Sequence, residues 1–97
     1  MIPYDKRSGK IWYNGKLVDW ADVKVHVLSH GLHYASCVFE GERVYDSSIF
    51  KLEEHTSRFF YSATRMGFEI PYSEDEINSA CNKIILTQKV ENGYVRP

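Results

Sequence analysis

Asn14-Gly15 is the feature that most constrains this chain. It sits between Ile11-Trp12-Tyr13 and Lys16-Leu17-Val18, two runs rich in β-branched and aromatic residues. A two-residue connection between antiparallel strands needs positive φ at both turn positions, and Asn-Gly tolerates that better than almost any other pair. A β-hairpin over 11–18 is therefore predicted. Ahead of it, residues 1–10 carry Pro3 and Gly9 without periodicity and read as an arm.

Val23, Val25 and Val27 alternate with Lys24 and His26, which predicts a short, half-buried extended segment ended by Ser29-His30-Gly31. A short helical turn is expected within 32–37. Residues 38–45 read as a strand interrupted by Gly41, where a lone glycine marks a bulge or a close approach of something to the backbone. Asp46-Ser47-Ser48 is a turn, and Ile49–Leu52 completes a second hairpin. Helical patterning starts near Glu53, with acids suited to a helix N-terminus, an apolar stripe of Leu52, Phe59, Phe60, Ala63 and Met66, and Gly67 as a stop. A second helix is marked by Ser73 with Glu76, a capping box, and by Ile77, Ala80, Cys81, Ile84 and Ile85 at helical spacing; Asn92-Gly93 is expected to end it. Tyr94–Pro97 reads as the start of another strand. Antiparallel hairpins followed by two helices predict an α+β fold.

Ninety-seven residues suffice for one small domain. Twelve basic against 13 acidic residues give a net charge of -1, which offers nothing to attract a nucleic-acid backbone over distance. No apolar run approaches the roughly 20 residues of a membrane helix, and the polar start is no secretory signal. The two cysteines, Cys37 and Cys81, lie far apart in no metal-ligand spacing and read as free thiols in a reducing, cytoplasmic setting. Seven Tyr, five Phe and two Trp predict either an aromatic core or aromatic side chains lining a site or interface.

The stretch 26–43 concentrates chemistry-bearing residues. His26, His30 and His33 would share one helix face, but the segment reads as extended and no nearby Cys or Asp completes a ligand set, so no metal is expected. Ser29-His30 and Cys37 with His33 are neighbours in sequence, which rarely gives the geometry of a nucleophile and its base, and no G-x-S-x-G is present. Neither G-x-x-x-x-G-K nor G-x-G-x-x-G occurs.

The opening hairpin Ile11–Val18 resembles that of the class IV pyridoxal-phosphate aminotransferases. Residues Val25-His26-Val27-Leu28-Ser29-His30-Gly31-Leu32-His33-Tyr34-Ala35-Ser36-Cys37-Val38-Phe39-Glu40-Gly41-Glu42-Arg43 resemble the V-H-x-x-S-H-x-L-H-Y-x-x-x-V-F-E-G-x-R run of the branched-chain amino-acid aminotransferases in that class. Glu54-His55-Thr56-Ser57-Arg58-Phe59 is similar to their E-H-x-x-R-[LF], and Tyr94-Val95-Arg96-Pro97 to their Y-[IV]-R-P. The resemblance runs in order from residue 11 to 97. Phe39-Glu40-Gly41 is its most discriminating part, since D-amino-acid aminotransferases and aminodeoxychorismate lyases usually differ there.

The resemblance implies a fold and a set of roles. Residues 1–97 would be the N-terminal small domain, truncated before the large cofactor-binding domain. The activity implied is transamination of Leu, Ile or Val with 2-oxoglutarate, giving a branched 2-oxo acid and glutamate, in a homo-oligomer using pyridoxal 5′-phosphate. Arg58 would bind the cofactor phosphate; from the residues alone, a solvated helix arginine or an ion pair to Glu54 is the competing reading. Tyr34, Phe39, Gly41, Tyr94 and Arg96 would form the small-domain side of the substrate pocket. In it Phe39 is an apolar wall, Gly41 a point of close approach, Tyr94 a donor to the substrate carboxylate, and Arg96 the residue holding Tyr34 and Tyr94. For Phe39, plain core packing competes. The Schiff-base lysine would lie beyond residue 97, leaving this chain inactive alone. Glu42 departs from the family, which tends to be uncharged there, and would put a charge beside the pocket strand. A different reading makes the chain a free-standing module that binds a partner or small anion through Arg58 and the Tyr94–Arg96 surface.

Overall fold

The computed structural model describes residues 1–97. Strand β1 (Lys10–Tyr13) pairs antiparallel with β2 (Lys16–Asp19) in the register Ile11↔Val18 and Trp12↔Leu17. Asn14 and Gly15 take φ of 48° and 87° at the turn, as the hairpin requires. The hairpin stands apart from the main sheet and is anchored by Trp12, whose ring meets Tyr72 edge-on at 5.0 Å.

The main sheet is antiparallel with strand order β4-β3-β5, built from β3 (Glu42–Tyr45), β4 (Ser48–Ile49) and β5 (Gly93–Val95). Asp46 and Ser47, with φ of 49° and 62°, turn β3 into β4, so Ser48 belongs to the strand and not to the turn. The chain reaches helix α2 at Leu52, which shortens the strand expected over 49–52 to two residues. Residues 38–41 are not laddered, although a strand from 38 was expected. Their partner would be the end of β5, where the Glu40 N–H still donates to Pro97 O at 3.2 Å, but Pro97 has no N–H to return.

Helix α2 (Leu52–Met66) ends at Gly67, φ 86°, in a Schellman arrangement: Gly67 N–H donates to Thr64 O and Phe68 N–H to Ala63 O, both at 3.1 Å. Helix α3 (Glu74–Thr87) starts with the expected capping box, in which Ser73 Oγ accepts from Glu76 N–H and Glu76 Oε1 from Ser73 N–H. It stops earlier than expected. Lys89 takes φ 54° and Val90 N–H donates to Ile85 O at 2.9 Å, so a lysine fills the left-handed position usually given to glycine. Asn92-Gly93 instead leads into β5, and Asn92 Oδ1 accepts from Asp46 N–H.

The core lies between the main sheet and the packed pair α2 and α3. It consists of Val44, Ala63, Ile77, Ala80, Cys81 and Ile85, together with the polar Glu40, Glu42 and Thr56. Thr56 on α2 donates to Asn78 Oδ1 on α3 at 2.5 Å. Short helix α1 (His30–Tyr34) provides the helical turn expected in this region. The segment 23–27 is neither strand nor half-buried as a whole: Val25 and Val27 are 59% and 70% exposed. No strand runs beside it, and the loop is closed by local bonds from Leu28 N–H to His26 Nδ1 and from Ser29 N–H to His26 O.

Candidate functional site

From residue 39 to 45 the side chains alternate, with 40, 42 and 44 buried and 39, 43 and 45 exposed. The outward face gathers four of the expected site residues. Arg96 Nε and Nη2 donate to Tyr94 Oη at 3.1 and 3.0 Å, and the Arg96 guanidinium lies 4.3 Å from the centre of the Phe39 ring. Phe39 is 58% exposed, so core packing is excluded for it. Gly41 lies under Tyr94: a Cβ built there would come 2.6 Å from Tyr94 Oη and 3.0 Å from Cε2. The close approach signalled by that glycine is made by the chain's own tyrosine ring.

Tyr34 is not part of this group. It is exposed at the end of α1 and packs on His30, ring centres 4.5 Å apart, with no bond to Arg96. The structure thus brings Arg96 to Tyr94 and leaves Tyr34 apart, on α1, which ends in a left-handed Ala35. The three histidines are likewise used locally: His33 Nε2 lies 2.7 Å from Val27 O, and His26 Nδ1 takes the Leu28 N–H.

Arg58 reaches the inward-facing Glu40 from α2. His55 and Arg58, three residues apart on α2, present one helix face to Glu40. Arg58 Nε donates to Glu40 Oε2 at 2.9 Å and Nη2 to Oε1 at 2.7 Å, while His55 Nδ1 approaches Oε1 at 2.7 Å. Glu54, the alternative partner, pairs with Lys51. The Arg58 fork holds the Glu40 carboxyl below its usual range against the opposing effect of burial, with His55 adding to the shift. An ionised carboxylate only accepts, so His55 Nδ1–H is the donor. Arg58 itself stays 66% exposed along its side chain, and Nη1 makes no bond within the chain. That free edge is a sterically open donor suited to a phosphate dianion.

Two residues on, Glu42 is completely buried and neither carboxyl oxygen finds a hydrogen-bond partner. The expectation of a charge beside the pocket is corrected here, since the pleat turns Glu42 into the core. Burial raises its pKa, only partly offset by His55 and the neighbouring Cys81 thiol. Cys81 is pushed up to about 12, chiefly by burial and then by Glu42. Glu40, His55 and the inward Glu42 were not singled out as functional from sequence. The even-numbered carboxylates in a 39–45 alternation, facing a His/Arg pair at i and i+3, were the available signal.

No group of three metal-ligating side chains is gathered in the structure, and no helix is long and apolar enough to cross a membrane.

Residues 37–97 match the family model described as amino-transferase class IV. The chain is 50% identical over 95 residues to the branched-chain-amino-acid aminotransferase of Pseudomonas aeruginosa, covering 94% of this chain and 31% of that protein. It is 43% identical over 96 residues to that of Escherichia coli, covering 95% of this chain and again 31% of the relative. Among solved structures, the branched-chain amino acid aminotransferase from Escherichia coli superposes with a TM-score of 0.89 at 41% identity, over 93% of this chain and 32% of that one. The chain thus spans about a third of the length of the relatives it matches. The hairpins, the two long helices and the final strand are those of the N-terminal domain of that fold, and the chain belongs to the class IV aminotransferase family.

Proposed function

We propose that residues 1–97 form the small-domain half of the active site of a pyridoxal 5′-phosphate-dependent branched-chain amino-acid aminotransferase. The reaction passes the amino group of Leu, Ile or Val to 2-oxoglutarate, giving a branched 2-oxo acid and glutamate. The observation that carries this reading is the group Phe39, Gly41, Tyr94 and Arg96 on one face. Its geometry suits an amino acid with an apolar side chain. Arg96 donates both its bonds to Tyr94 Oη, so the phenol O–H is left to point at an outside acceptor such as a carboxylate. Arg96 adds positive potential there, and the exposed Phe39 ring offers an apolar wall. Tyr34 would join from α1 only by moving toward this face.

Arg58 would hold the cofactor phosphate through its free edge. Pyridoxal 5′-phosphate, when bound, supplies the electron sink for the transfer. The chain's own lysines, Lys6, Lys10, Lys16, Lys24, Lys51, Lys83 and Lys89, are exposed apart from the half-buried Lys10, which pairs with Asp19. None has the desolvated or cationic surroundings that activate a catalytic lysine, so the lysine is assigned to the downstream domain and the 97-residue chain alone is inactive. Exposed Val25, Val27, Leu28 and Leu32 form an apolar stretch that supports assembly into a homo-oligomer. The unpaired Cys37 and Cys81 support a cytoplasmic setting.

The test is pyridoxal phosphate binding and leucine transamination by this chain and by a version extended through the downstream domain. Turnover confined to the extended form is expected. Turnover by the 97-residue chain alone would overturn the assignment of roles.

A further inference from the structure

The two segments 39–41 and 54–58 meet at a single carboxylate. Glu40 is 4% exposed, yet its two oxygens take three charge-assisted contacts: Nε and Nη2 of Arg58 and Nδ1 of His55. A negative group is the wrong choice of charge beside an anion site, since it opposes the incoming phosphate. Its geometry gives another reason for it. An arginine as exposed as Arg58 would otherwise sample many rotamers and lose that freedom when it binds. Here two of its three guanidinium nitrogens are already fixed by a buried partner, which His55 holds from the other side.

We propose that Glu40, locked by His55, is a positioning residue that pre-orients Arg58 so that its Nη1 edge receives a phosphate monoester or inorganic phosphate. This rests on the reading of Arg58 as the phosphate contact. It differs from the simpler role of a staple between α2 and the strand, because a staple would affect the folding free energy and leave the anion affinity of the folded chain alone.

The experiment follows the Arg58 side-chain NH signals and, in every variant, the backbone amide signals of residues 55–58 by NMR while the 97-residue chain is titrated with inorganic phosphate. In the native chain, rotation of the Arg58 guanidinium is restricted before phosphate is added, and phosphate shifts its signals. Free rotation in the native chain overturns the proposal without any variant. Glu40→Asp keeps the charge but shortens the reach by one methylene. With folding checked by circular dichroism, its phosphate affinity should fall about three- to tenfold, the scale of one side chain's lost pre-ordering. An unchanged affinity in folded Glu40→Asp overturns the proposal. Arg58→Lys separates the underlying reading: if its phosphate response equals that of the native chain, Arg58 is not the contact and both readings fall. Loss of response in Arg58→Lys alongside an intact Glu40→Asp removes only the positioning role.

Discussion

Replacing Glu42 by methionine should stabilise the chain, and by an amount that grows with pH. The side chain has no exposure and both carboxyl oxygens lack a partner. Methionine is close in length, fills the same slot and needs no hydrogen bonds. A buried polar group left unpaired costs about 1–3 kcal/mol even when neutral, and that cost disappears in Glu42→Met. The pH dependence follows from burial, which raises the Glu42 pKa above its ordinary value of 4.5 in the folded chain. Its contribution to stability is fully present below that value and is lost as pH rises through the folded pKa. Between the two, the native chain loses about 1.4 kcal/mol per pH unit relative to the variant. Urea unfolding of both proteins at pH 4, 5.5 and 7 reads this directly. The variant should unfold at higher urea at every pH, with the smallest gap at pH 4; a gain of 1 kcal/mol corresponds to a rise of about 4–8 °C in Tm. A variant less stable than the native chain, or a gap that does not widen with pH, would show that Glu42 is paired or solvated in solution and would refute the reasoning.

Gly41→Ala should displace the Tyr94 ring, because its Cβ would stand 2.6 Å from Tyr94 Oη; the half-exposed ring can swing outward, so stability should change by no more than about 0.5 kcal/mol, and unshifted Tyr94 ring resonances would contradict the reasoning. Ser73→Ala removes the acceptor for Glu76 N–H and should lower stability by about 1 kcal/mol, read from the urea midpoint. At pH 8 a thiol reagent should modify exposed Cys37 promptly and Cys81 only on unfolding, since Cys81 is buried and pushed up to about 12; equal rates would show that the core opens.

The parts of the fold legible in sequence are those decided by a few neighbouring residues. Asn14-Gly15 and Ser73 with Glu76 each state their own geometry, and Gly67 ends α2 as expected. The end of α3 was not legible, because Lys89 adopts a left-handed conformation that its type does not advertise. Val25 and Val27 alternate like strand residues, but alternation needs a neighbouring strand to become structure, and none is there. Within the site, the Arg96–Tyr94 pair was expected from the family resemblance and not from the residues themselves. The Glu40–Arg58 pair spans 18 residues, and depends on how the segment leading into β3 packs on α2.

Glu40 and Glu42 point to the same side of the extended segment 39–45 and are both buried, yet their pKa values move in opposite directions. Burial raises both, more strongly Glu42, and at Glu40 it is outweighed by the bond from Arg58 on α2. Arg58 and His55 bond to Glu40, whereas the Glu42 oxygens have no such partner and are offset only by the charge of His55 and the neighbouring Cys81 thiol. The stability that Glu40 contributes is present above 4.5 and is lost as pH falls through its lowered folded pKa. That of Glu42 runs the other way. These two groups alone therefore favour the folded chain most near pH 4.5, and each side of that point tests a different residue. Acidification below it releases Arg58 from its carboxylate, which would loosen the proposed phosphate contact at the pH where the fold itself begins to weaken. At neutral pH Arg58 is held and Glu42 is the weak point. The Glu40–Arg58 pair thus keeps its full strength in the range where Glu42 costs the core most.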